Sequence, residues 1–259
     1  MRPALTAGIV VGAVLALAGC GGAGAREGVG ASSVPRTLTV LSAADQHAAV
    51  TSTPTAAAPA PPVPPAAIPQ PQIHNWPIPY GSSRKHEMAA YSLRHYGEDT
   101  YVLSHPKVIV EHYTETGTAL EAFNTFAPDV PDAEFHELPN TCAHFLVEPS
   151  GRIDQLVALS VRCRHTTGLN WTAIGIENVG YSDQAILNDR AQIAASLRLT
   201  RWLRCRYAIA LKNVIGHNES LSSPYHHDLV PAFQHQTHSD WNHADMVRYR
   251  SLLARLPCR

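Results

Sequence analysis

The sequence predicts an α/β domain, a mixed central β-sheet flanked by helices on both sides. Two kinds of segment carry this expectation. Three apolar runs, "KVIVEHYT" (107–114), "AIGIENVG" (173–180) and "NVIGHNES" (213–220), are continuous rather than alternating, as strands buried on both faces are. A fourth segment, "AHFLVEPSGRIDQLVAL" (143–159), reads as a hairpin, two apolar runs joined by a turn containing Pro149 and Gly151. Helical periodicity lies between and after these segments, so parallel-type strands stand beside one antiparallel pair with helices to cover them.

The elements follow in order. Arg2 and the apolar stretch "AGIVVGAVLALAG" (7–19) have the form of an export signal, too short to serve as a mature transmembrane helix. The stretch ends in "LAGC", which resembles a bacterial lipobox, so residues 1–19 are expected to be removed and Cys20 to carry the lipid. Two acyl chains give stable membrane anchoring where one does not. Residues 35–79 hold 11 of the chain's 20 prolines. Proline removes donors and favours extended conformations, so residues 20–80 read as a tether and residues 81–259 as the folded domain. In that domain "SRKHEMAAYSLRHYG" carries Met88, Tyr91, Leu93 and Tyr96 at helical spacing and stops at Gly97. "EAFNTFA" reads as a short helix, "NDRAQIAASLRLTRWLRCRYA" (188–208) as a long amphipathic one, and "ADMVRYRSLLARL" (244–256) as a terminal one.

Composition narrows the function. A formal net charge of −1 and the lack of any basic run argue against a nucleic-acid partner. Nothing suggests more than a monomer. Cys142, Cys163, Cys205 and Cys258 make an even set in an exported chain, which points to two disulfides. Three pairings can be drawn; we favour Cys142–Cys163, which flank the hairpin, and Cys205–Cys258. Fifteen histidines, most of them after residue 85, are the compositional outlier, and histidine is both a common metal ligand and the usual proton carrier near neutral pH.

Polar residues interrupt the apolar runs at telling places. His112 ends one run, His217 another, and Glu177 lies inside a third. Sites assemble at strand ends in open α/β sheets, and a carboxylate within a buried run costs several kcal/mol unless it is paired or near a cation. Two histidines and one carboxylate suit zinc with one coordination position left open for chemistry. The absence of CxxC argues against a structural cysteine site, and the absence of GxSxG against a serine nucleophile. A third ligand is offered near the C-terminus by "THSD", where His238 and Asp240 both qualify.

Taken in order, "VIVEHYTET", "AHFLVEPSGRIDQLV", "RHTTGLN", "AIGIENVG", "VIGHNES" and "QTHSDW" resemble the zinc-dependent N-acetylmuramoyl-L-alanine amidase family, which includes peptidoglycan recognition proteins. The resemblance covers roughly residues 105–256. It implies one Zn²⁺ and cleavage of the amide between muramic acid and L-alanine in peptidoglycan. It also implies His112, His217 and Asp240 as ligands and Glu177 as acid/base. His238 falls where many relatives carry a lysine that faces the reaction centre, and His165 and Asn170 fall in the loop that lines the substrate groove. Two other functions compete: a module that binds muropeptides without cutting them, and a zinc hydrolase of another amide. The tether and Cys20 suggest attachment to a membrane at the cell envelope, facing the cell wall or periplasm.

Overall fold

The computed structural model describes residues 68–258. The signal segment, Cys20 and the tether up to residue 67 lie outside the described residues. The described chain forms a six-stranded sheet in the order β1-β4-β3-β5-β2-β6. Its strands are β1 (His74–Asn75), β2 (Val108–Tyr113), β3 (Phe145–Val147), β4 (Ile153–Gln155), β5 (Ala173–Asn178) and β6 (Val214–Gly216). Only β3 and β4 pair antiparallel, as the expected hairpin; the remaining pairs are parallel. The hairpin turn places Gly151 at φ 82°, a left-handed conformation that suits glycine.

Side-chain alternation sorts the central strands into two faces. Ile109, Phe145, Val147, Ile174 and Ile176 face one core, shared with α3 (Asp183–Asn188), α4 (Arg190–Arg206) and α5 (His243–Ala254). The α4 stripe Ala195, Leu199, Trp202 and Leu203 recurs at helical spacing and is buried there. Leu146 on the opposite face packs with α2 (Ala119–Phe126), while Val108, Val110, Ala173 and Ile215 pack with Leu169 and Tyr225. Helix α2 starts at a capping box in which Thr118 and Glu121 satisfy each other's backbone N–H groups. The N-terminal helix α1 (Ser82–Tyr96) ends at Gly97, with φ 75°, as its sequence predicts.

Two expectations need correction. The boundary between tether and domain does not fall at residue 81. Strand β1 adds to β4, Trp76 and Ile78 donate backbone hydrogen bonds to Gln155 and Leu156, and Ile78 is buried. Prolines at 77 and 79 suit such an edge segment, where missing donors do no harm. The helix expected over 188–208 forms as α4, with Asp189 as its cap, and a short helix that the sequence did not lead us to expect, α3, capped by Ser182, precedes it. The run "NVIGHNES" is a strand only through Gly216; His217 opens a 3₁₀ turn, His217–Ser222. Both favoured disulfides form, with Cα–Cα distances of 5.6 Å for Cys142–Cys163 and 5.4 Å for Cys205–Cys258.

Candidate active site

Strand parity decides which polar residues meet. His112 shares its face with Val108 and Val110, and in register it stands beside Glu177 of β5. Glu111 points the other way, into the helical core, where Tyr249, Thr200, Asn178 and Ser196 donate to its carboxylate. Glu111 therefore supports the fold rather than the cluster. Glu219 is also engaged elsewhere, accepting from Arg250 and from the Gly216 N–H.

His112, His217 and Asp240 converge, each buried, with one donor atom of each inside a 4.8 Å set. His112 Nδ1 lies 3.2 Å from Asp240 Oδ2, and His217 Nδ1 lies 3.3 Å from Asp240 Oδ1. Ligand atoms held at about 2.0–2.1 Å from a tetrahedral zinc stand roughly 3.3 Å apart, so these spacings fit such an ion. Two buried atoms on the wall of the same cavity, His217 Nε2 and Glu177 Oε2, have no hydrogen-bond partner among the described residues. Orphaned buried donors and acceptors are rare unless a ligand or water completes them. The residues present thus fit a metal ion, and among the described residues they form the sole such group.

Glycines make the convergence possible. A Cβ on Gly216 would stand 1.9 Å from the Trp241 carbonyl oxygen, so only glycine lets the segment carrying Asp240 lie against the end of β6. A Cβ on Gly175 would stand 2.6 Å from the His165 ring. Trp241 then fastens the two ends of the site. Its indole N–H donates to the His112 carbonyl at 3.0 Å, and its backbone N–H donates to Asp183 at 2.8 Å. Reading along the chain missed Trp241 and Asp183. The signals available were the two strand glycines and an aromatic beside a candidate ligand.

The electrostatics follow from burial and neighbours. Burial pushes the Glu177 carboxyl up to about 7; the His112 charge opposes this, and Asp240 and Glu115 add to it. Burial likewise takes the His217 imidazole down to about 4, against the pull of Asp240. For Asp240, burial is outweighed by hydrogen bonds from His112 and His217, which hold its carboxyl well below the usual carboxylate range. Burial depresses His112 too, but the Asp240 hydrogen bond and the charges of Glu177 and Asp240 leave it above its ordinary value.

The other expected residues take up distinct places. His165 lies behind His112, its Nδ1 3.2 Å from His112 Nε2, and burial plus the neighbouring His112 and His144 push its imidazole well below its ordinary value. Asn170 borders a small adjoining cavity, but its side chain is committed to its own loop. Its Oδ1 accepts from the backbone N–H groups of His165 and Thr166, and its amide donates to the Tyr91 hydroxyl. His238 stays out of the ligand cluster. Its ring stacks on His217 at 4.7 Å and its Nε2 meets Glu134 at 3.1 Å, on the cavity wall.

Comparison with known proteins identifies a family. No curated protein matches the chain. Among solved structures, it is similar to the endolysin N-acetylmuramoyl-L-alanine amidase LysCS from Clostridium intestinale, with 17% identity over 55% of this chain and 79% of that one, at a TM-score of 0.39. It is similar to a mutant endolysin from Bacillus subtilis, with 22% identity over 57% and 84% of the two chains, at a TM-score of 0.40. It is also similar to the N-acetylmuramyl-L-alanine amidase AmiD from E. coli, solved with anhydro-N-acetylmuramic acid-L-Ala-D-γ-Glu-L-Lys, with 27% identity over 45% and 50%, at a TM-score of 0.35. A family model described as N-acetylmuramoyl-L-alanine amidase matches residues 103–243, more than half of the sequence and the stretch that carries His112, Glu177, His217 and Asp240, and the chain belongs to that family.

Proposed function

We propose that this amidase cuts the bond between N-acetylmuramic acid and L-alanine of peptidoglycan with one zinc ion held by His112, His217 and Asp240. The observation that carries the reading is the placement of Asp240 at 3.2 and 3.3 Å from the two imidazoles, beside the unpartnered buried oxygen of Glu177. Zinc bound there supplies a Lewis acid, which lowers the pKa of water towards ~7 and polarises an amide carbonyl. Glu177 takes the proton from the attacking water and delivers it to the departing nitrogen of L-alanine. A carboxyl raised to about 7 by burial is suited to both halves of that transfer near neutral pH. His165 and Thr166 flank His112 Nε2 and orient the ring, as partners of metal-bound histidines do. His238, on the cavity wall, donates to the oxyanion side of the substrate. A module that only binds muropeptides has no use for an acid/base poised in this way. We also propose that Cys20 is lipidated and holds the domain at the cell envelope as a monomer; the support is "LAGC" and the proline-rich stretch.

The test uses the full mature chain, since β1 lies ahead of residue 81. Zinc-loaded protein should release stems with a free L-alanine amine from peptidoglycan, identified by mass spectrometry, and a chelator should abolish the release. Metal analysis of Asp240→Ala and His238→Ala should show zinc lost in the first alone; the opposite result would exchange the two roles. Cys20→Ser should leave the precursor unprocessed or detach it from membranes, and continued membrane attachment would remove the anchor.

A further inference from the structure

The cavity in front of the ligand cluster has a volume of about 410 Å³ and an unusual charge inventory. Among the described residues its walls carry the carboxylates Glu115, Asp132, Glu134, Glu177 and Asp240, the imidazoles of His112, His165, His217 and His238, and neither lysine nor arginine. Three of these acids are accounted for. Asp240 lies between two imidazoles, Glu177 is the acid/base, and Asp132 accepts from Arg164 and from the backbone N–H groups of Glu134, Phe135 and Glu137. Glu134 and Glu115 are exposed at the rim. Glu134 has only the half-exposed ring of His238 as a partner, and Glu115, at φ 53°, makes no ion pair among the described residues. The charge of Glu115 nonetheless reaches the reaction centre, since it helps to raise the Glu177 carboxyl.

The nearest guanidinium gives no relief. Arg164 borders the adjoining small cavity, but it is 5% exposed, and its two terminal nitrogens donate to the Glu137 and Pro139 carbonyls and to Asp132. Apart from the metal ion proposed above and the His238 ring, an anionic group entering the cleft therefore meets rim carboxylates and, among the described residues, no free lysine or arginine. That the cavity receives a ligand is marked independently by Glu177 Oε2 and His217 Nε2, both more than nine-tenths buried and unpartnered on its wall.

In a stem of L-alanine followed by γ-linked D-glutamate, the α-carboxylate of the second residue is free, one residue from the scissile bond. We propose that this cleft selects muropeptides in which that carboxylate is masked as an amide, with Glu115 and Glu134 as the residues that set the preference. The proposal rests on the amidase reading and names the substrate class within it. Charge selection acts on binding before chemistry, so it falls in KM and not in kcat. Two rim charges at several ångströms in a solvent-accessible cleft support about a tenfold preference at low ionic strength, and screening at 1 M salt, where the Debye length is about 3 Å, should remove most of it.

The experiment compares N-acetylmuramoyl-L-alanyl-D-isoglutamine with N-acetylmuramoyl-L-alanyl-D-glutamate on the zinc-loaded full chain, as kcat/KM at low and high salt. In parallel, calorimetry with Glu177→Gln measures binding of both compounds without turnover. The expected result is a preference of about tenfold for the isoglutamine compound in KM and in Kd, reduced by salt and reversed towards the free acid by Glu115→Lys with Glu134→Lys. Because each protein is read as a ratio of two substrates, a general loss of activity in a variant does not mask the answer. Equal KM and Kd for the two compounds, or an unchanged ratio in the double lysine variant, would overturn the proposal. Cleavage of neither compound, with the binding ratio intact, would refute the amidase reading and leave the charge selection standing.

Discussion

Replacing Glu177 by glutamine should make the metal-free protein more stable while it abolishes most catalysis. The carboxyl lies in β5, 9% exposed, with one oxygen lacking a hydrogen-bond partner among the described residues. Burial raises it from 4.5 to about 7. The folded state thus binds this proton more tightly than the unfolded chain does. Below about pH 4.5 the carboxyl is protonated in both states and folding carries no charge penalty. As pH rises from there through about 7, the folded protein must hold a desolvated carboxylate, and stability declines. A shift of that size corresponds to roughly 3 kcal/mol at pH 8. Glutamine keeps the shape and does not titrate. In chelator, denaturant unfolding of wild type and Glu177→Gln at pH 5, 6.5 and 8 should show the variant gaining stability progressively, by up to about 3 kcal/mol. In the zinc-loaded enzyme the same variant should lose about 10²–10⁴-fold in kcat while retaining its metal. A variant no more stable than wild type at pH 8 would show that Glu177 is adequately solvated, and the argument for a burial-tuned acid/base would fail. Gains of this kind are expected where an active-site group is held in an unfavourable environment for the sake of chemistry.

Other consequences are equally direct. Gly216→Ala places a methyl 1.9 Å from the Trp241 carbonyl, so it should cost at least about 3 kcal/mol in thermal or chemical unfolding and weaken metal binding through Asp240; native stability with full metal content would contradict the close approach. Trimming the chain to residue 81 removes β1, the buried Ile78 and the stacking of Trp76 on Phe123 at 4.3 Å, and should lower the unfolding free energy by about 2–4 kcal/mol. His95 is fully buried; burial lowers its imidazole, but Asp228 and Glu137 at its two nitrogens outweigh this and raise it. Its contribution should therefore be complete below about pH 6.5 and fade as pH rises through the raised value. The stability difference between wild type and His95→Gln, measured by denaturant unfolding across pH 6–9, should shrink towards the alkaline end.

Much of the site was legible before any fold was drawn, because burial makes polar residues conspicuous. His112 and Glu177 stand within apolar runs, and a polar group there requires a partner or a task. Period-two alternation alone separates His112 from Glu111, which the structure sends to opposite faces. The flanked hairpin favoured the Cys142–Cys163 bridge, since the two cysteines bracket a closed segment. Other decisions belonged to tertiary contacts. Strand β1 is two residues in a proline-rich stretch, with no periodicity to betray it; it exists because β4 offers an unpaired edge. Between His238 and Asp240, local chemistry offers no choice, as both are good ligands two residues apart. That Asp240 is the one placed between His112 and His217 follows from Trp241, whose indole reaches the His112 carbonyl 129 positions away, and from Gly216, which lets the backbone close against β6. Such contacts leave little trace in local pattern, because propensity and periodicity act over a few residues and the loop carrying Asp240 is held by partners brought near only when the sheet has formed.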